Sequence, residues 1–186
     1  MERRETDLPG VWELQPEIFR DLRGFFVETY HQKKFSEVEI DDCFVQDNCS
    51  VSIKGTLRGL HYQLRHPQAK LCRVAEGEVL DVAVDIRVGS PTFGKCAVVI
   101  LSAEKQNQIY IPTGFAHGFL ALTERVQFLY KCSDFFDAAD EHGIIWNDPA
   151  IAIPWGVTNP LVSPKDAKLP KLMDVSPTLL PRFGMR

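Results

Sequence analysis

A chain of 186 residues with 45% apolar and 25% charged residues has the make-up of a folded globular protein with one sizeable core, which excludes disordered and fibrous classes. A formal net charge of −4 without any basic run excludes a general attraction to nucleic acid, because such binding rests on neutralising many phosphates. The opening from Met1 to Leu14 lacks a secretion-type apolar core and no later apolar run reaches membrane-spanning length, so neither export nor a membrane partner is expected. The cysteines, Cys43, Cys49, Cys72, Cys96 and Cys132, form an odd set without a Cys-x-x-Cys pair and read as reduced thiols of the cytoplasm, several of them core fillers.

Along the chain, His31 to Val38 has room for two helical turns. From Val51 to Asp134, short β-rich runs alternate with turn residues, and nothing there keeps helical spacing over a long stretch. The clearest run is Val79 to Arg87, where Leu80, Val82, Val84 and Ile86 share one face and Asp81, Ala83, Asp85 and Arg87 the other. The turn Gly89-Ser90-Pro91 ends it, and Cys96 to Leu101 and Gln108 to Ile111 follow as further strands. Such spacing predicts an antiparallel sandwich or jelly roll rather than βαβ units. A second helical start is expected at Ser163-Pro164-Lys165-Asp166, and prolines recurring from Pro149 to Pro181 predict a tail, from about residue 147 to 186, extended over the same domain.

Three segments could carry chemistry. In Gly55 to Gln63, His61 would share a strand face with Gln63; a histidine can move protons near neutral pH, and nearby Lys70 could steady a developing oxyanion. By itself the segment fits better a hydrogen-bonded structural histidine, with Arg58 in a surface ion pair. The second segment, Pro112-x-Gly114-x-x-His117, resembles the second motif of cupin barrels. Metal-holding cupins take further ligands from an earlier His-x-His and a following Glu, whereas here His61 is followed by Tyr62 and Gln63, and His66 falls beside Pro67 in a turn, so no metal is expected. The third, Arg125 to Asp134, is an alternating strand with Tyr130 on the face of Phe128 and Cys132, where its phenol could pack or give a proton. Phe135-Phe136 after it could be core or a platform for a flat ring.

In chain order, Phe19 to Glu28, Phe44 to Asn48, Leu57 to Gln63, Ala69 to Leu71, Leu80 to Arg87, Ser90 to Gly94, Gly114 to Phe119, Trp146 to Ala150 and Ser163 to Asp166 together resemble the dTDP-4-dehydrorhamnose 3,5-epimerase family. The resemblance implies an all-β, cupin-type jelly roll with a few short peripheral helices, forming one domain over residues 1–186, usually as a homodimer. It implies a nucleotide-sugar substrate, dTDP-4-dehydro-6-deoxy-glucose, inverted at C3 and C5 on the route to dTDP-L-rhamnose, with neither metal nor cofactor. His61 would be the base, Asp166 its partner, Lys70 the group at the enolate oxygen and Tyr130 the proton donor. Arg23, Glu28, Gln46, Asp47, Asn48, Arg58, Lys70, His117, Glu141 and Lys165 would hold the nucleotide sugar. Many relatives carry Tyr-Tyr where this chain has Phe135-Phe136; Phe136 keeps the surface that stacks on thymine and loses the hydroxyl. Relatives that invert a single carbon share most of the pattern. Rival readings are a metal-dependent cupin isomerase or dioxygenase using His61, His66 and His117, and a sugar-binding jelly roll without catalysis.

Overall fold

The computed structural model describes residues 1–184. Its strands are β1 (Glu2–Glu5), β2 (Trp12–Gln15), β3 (Ile18–Asp21), β4 (Gly24–Val27), β5 (Gln46–Ile53), β6 (Thr56–Gln63), β7 (Lys70–Glu76), β8 (Glu78–Asp85), β9 (Cys96–Ser102), β10 (Gln108–Ile111), β11 (Phe115–Ala121), β12 (Arg125–Cys132), β13 (Glu141–Gly143) and β14 (Leu161–Val162). One helix, α1 (Gln32–Ser36), and three short 3-10 turns are the only helical elements among the described residues. A first antiparallel sheet runs β1-β2-β10-β7-β12-β5 and a second runs β13-β6-β11-β8-β9, with β14 joining β6 in parallel. The hairpin β3-β4 stands apart as a sheet of its own. This is the all-β jelly roll the sequence predicts, with α1 inside the span expected to be helical and a 3-10 turn, Asp166–Lys168, just after Ser163-Pro164.

Strand alternation divides the apolar side chains into layers. Val79 and Ala83 of β8 meet Cys72, Val74, Phe119 and Phe128 between the two sheets, while Val82 and Val84 point to the outer side of the second sheet. That outer side is covered by Ile144 and, from the tail, Ile151, Trp155, Leu172 and Leu180. Buried Asp148 pins the tail by accepting hydrogen bonds from the Ala150 and Leu172 amides, at 2.9 and 2.8 Å. With both faces of β8 covered, its charged residues are buried as well: Asp81 and Asp85 are wholly enclosed. Burial favours protonation of Asp85, but bonds from Arg87, Ser90 and Thr92 outweigh it and hold the carboxyl below its usual range.

One irregularity shapes the second sheet. His117 lies opposite His61 and Phe119 opposite Arg58, so two steps along β11 match three along β6. The extra residue resets the alternation: Leu57 and Leu60 both face the outer cluster, and Arg58 and His61 both face the cleft. Gly59 sits in this bulge with φ +114°, and a Cβ there would lie 2.6 Å from Gly118 Cα and 2.7 Å from the His117 carbonyl oxygen. Only glycine meets both demands. Gly59→Ala is expected to destabilise the fold by more than about 1 kcal/mol in denaturant unfolding, and to lower activity beyond what the loss of folded protein explains.

Candidate active site

Between the sheets opens a cleft of about 470 Å³, continuous through His61, Lys70, Tyr130 and Asn48 with a recess of about 250 Å³ that reaches Gln46, Phe136 and Glu141. His61 comes from β6 on one wall, and Lys70 and Tyr130 from neighbouring strands β7 and β12 on the other. The pairing of β14 with Thr56 and Leu57 delivers the tail to β6, and the turn after it places Asp166 under the histidine. His61 Nε2 lies 2.7 Å from Asp166 Oδ1, while Asp166 Oδ2 accepts the Gly59 amide at 3.3 Å and the Ser163 hydroxyl accepts the Asp166 amide at 3.0 Å. Burial pushes the Asp166 carboxyl up, yet the bonds from His61 and Gly59 more than offset it and leave it below its usual range. An ionised carboxylate at Nε2 fixes the ring so that Nδ1 is the nitrogen free to take a proton. Glu141 Oε1 is 3.9 Å from that Nδ1 and its side chain is paired with Lys165.

Across the cleft, burial raises the Tyr130 phenol to about 12, helped by the nearby Cys132 and Cys72, so it stays protonated and able to donate at neutral pH. The Lys70 side chain makes neither an ion pair nor a hydrogen bond among the described residues, although it lines both recesses. On the floor, His117 Nε2 stands 3.0 Å from each oxygen of Asp81. Arg58, steadied by the Ser52 hydroxyl at 3.1 Å, and Lys165 add positive charge at one end of the cleft. At the other end the ring of Phe136 is exposed rather than core. Its loop is tethered where the Phe136 amide donates to Gln46 Oε1 at 2.9 Å and the Asp137 amide to Gln63 Oε1 at 2.8 Å.

Most residues singled out from the sequence therefore meet in one cleft: His61, Lys70, Tyr130 and Asp166, with Gln46, Asn48, Arg58, His117, Phe136, Glu141 and Lys165 around them. Three lie elsewhere. Asp47 takes the outer face of β5, bonded to Lys131 at 2.7 Å; Arg23 sits at the tip of the β3-β4 hairpin against Asp21; Glu28 follows the hairpin and pairs with Lys34 at 2.7 Å. His66 is half-exposed in its turn, 3.5 Å from Asp134, and lines neither recess. The sequence assigned no role to Asp81, Ser52 or Gln63, which orient His117, Arg58 and the Phe136 loop. An acidic residue amid a strand this apolar was the available sign for Asp81.

The family model for dTDP-4-dehydrorhamnose 3,5-epimerase matches residues 5–174. The chain is 51% identical over 174 residues to the dTDP-4-dehydrorhamnose 3,5-epimerase of Shigella flexneri, covering 91% of this chain and 95% of that one. It is 54% identical over 163 residues to the protein of that name from Neisseria gonorrhoeae, where the match covers 87% of this chain but only 50% of the relative, so the chain spans about half the length of that protein. The crystal structure of the dTDP-6-deoxy-D-glucose-3,5-epimerase of Legionella pneumophila, in complex with dTDP-4-keto-L-rhamnose, is 46% identical and superimposes with a TM-score of 0.96 over 99% of both chains. With the site's fold, residues and near-complete coverage in agreement, the chain belongs to the dTDP-4-dehydrorhamnose 3,5-epimerase family.

Proposed function

We propose that the chain converts dTDP-4-dehydro-6-deoxy-D-glucose to dTDP-4-dehydro-L-rhamnose by inverting C3 and C5 through enolates. The observation that carries this reading is the His61–Asp166 pair, its carboxylate buried and its imidazole open to the cleft, facing a protonated Tyr130 and an unpaired Lys70. The C4 ketone acidifies the hydrogens on C3 and C5. His61 Nδ1 takes one proton, the C–H electron pair moves into the ring, and negative charge collects on the C4 oxygen. A Lys70 ammonium about 4 Å from that oxygen is worth about 4 kcal/mol at an effective dielectric near 20, which is roughly three powers of ten in rate. The Tyr130 phenol protonates the same carbon from the opposite wall, and exchange with water resets both groups before the second carbon reacts.

Arg58 and Lys165 suit the diphosphate, the arginine by forked bonds to its oxygens, and Phe136 suits a stacked thymine. A homodimer fits the residues left outside the cleft. Hairpin β3-β4 exposes Phe19, Phe25 and Phe26 beside Arg23, and β5 exposes Val51 and Ile53 on the outer face of the first sheet. A second copy covering these surfaces would let Arg23 and Glu28 serve its neighbour's cleft. The free cysteines agree with a cytoplasmic protein, and among the described residues no helix is long and apolar enough to cross a membrane. The tail's packing on the second sheet agrees with one domain throughout.

NMR of dTDP-4-dehydro-6-deoxy-D-glucose incubated with the protein is expected to show inversion at both carbons; inversion at one would reassign it as a single-site epimerase, and unchanged substrate would reject the activity. Asp166→Asn, which cannot hold the imidazole as a charged partner, is expected to lower kcat by about 10²–10⁴-fold with KM nearly unchanged. A comparable rise in KM would mean that Asp166 shapes the pocket instead of the proton transfer.

A further inference from the structure

Behind the cleft floor, which His117 lines, three buried side chains could act together in a way the proton transfer does not use. Cys72 of β7 reaches in from the first sheet, and Asp81 of β8 and His117 of β11 from the second. His117 Nε2 is 3.0 Å from both Asp81 oxygens and 3.9 Å from Cys72 Sγ, and one ligating atom from each residue lies within 4.8 Å of the other two. All three are buried, and the His117 ring is fixed by stacking on Phe128 with centroids 6.0 Å apart.

We propose that Cys72, Asp81 and His117 form a binding site for one thiophilic divalent cation, zinc or cadmium, and that its occupation shuts the nucleotide sugar out of the cleft. Thiolate, imidazole and carboxylate are the donors such ions take, and three protein ligands with one open position is a usual zinc arrangement. Bond lengths of about 2.0–2.3 Å place the donors of a tetrahedral zinc roughly 3.3–3.8 Å apart, close to the 3.0 and 3.9 Å observed here. A single carboxylate beside a thiol is a poor match for magnesium or calcium, which want shells of oxygen. Binding replaces the S–H bond of Cys72 by a metal–sulfur bond and releases the thiol proton to water, while the proton that His117 Nε2 shares with Asp81 moves to Nδ1, freeing Nε2 and the carboxylate to ligate. Of the three ligands His117 lines the cleft, together with His61, Lys70 and Tyr130, so a cation on it would sit against the space the substrate fills. Only the exclusion of substrate rests on the function proposed above; the cation site does not.

The test titrates the full chain with cadmium and follows the thiolate-to-cadmium absorption in the ultraviolet, in a Cys43→Ser, Cys49→Ser background that removes the exposed thiols. One saturable equivalent per chain is expected, with affinity at least tenfold weaker in Cys72→Val, whose activity without metal should be unchanged. In turnover assays cadmium should raise KM and leave kcat alone. Absence of the band, or equal affinity in Cys72→Val, overturns the site; Cys72→Ala serves the same comparison if valine unfolds the core. A normal band with no effect on KM keeps the site and overturns the exclusion of substrate. If the chain lacks epimerase activity altogether, the band still decides the site.

Discussion

The contact between His61 and Asp166 spans 105 residues of sequence, and much of the fold serves to make it. The histidine is on an interior strand of the second sheet; the carboxylate arrives on a tail that has crossed the outer side of that sheet, buried Ile151 and Trp155, and joined β6 through β14. The bulge at Gly59 serves this contact twice. It turns His61 onto the same face as Arg58, and its amide donates to the second oxygen of Asp166. Fixing the imidazole in this way costs conformational freedom that the tail's apolar contacts must offset.

The two sheets divide the chemistry. In the roles proposed above, the second would supply the base and its carboxylate, and the first the ammonium and the phenol. Proton removal and proton return would then occur from opposite walls, which is what inversion at carbon requires, whereas a single base would return its proton to the side it came from. Burial of Tyr130 keeps that phenol protonated, and the freedom of Lys70 from local carboxylates leaves its charge for the substrate. His117 is held by Asp81 at the base of the same cleft, with the Cys72 sulfur 3.9 Å from the same nitrogen, the geometry on which the proposed cation site rests.

The strands were legible because β-rich runs alternate with turn residues from Val51 to Asp134, and the tail because its prolines forbid regular pairing. The dyad was legible only through the ordered family motifs, since nothing local to Asp166 points to a histidine 105 positions away. Two features escaped for physical reasons. Strict alternation cannot place Arg58 and His61, three apart, on one face; the bulge does so, and its sign is only a glycine among several. The polar face of β8 reads as charged and proves wholly buried, because what covers a strand is decided by distant segments and not by its own pattern.

The most direct test of the account is solvent deuterium uptake from heavy water into dTDP-4-dehydro-6-deoxy-D-glucose, compared between the native chain and His61→Asn. The account predicts deuterium at C3 and C5 with the native chain, and none at either carbon with His61→Asn although thymidine diphosphate still binds. Undiminished uptake by His61→Asn would contradict the assignment of His61 as the base and with it the role given to Asp166.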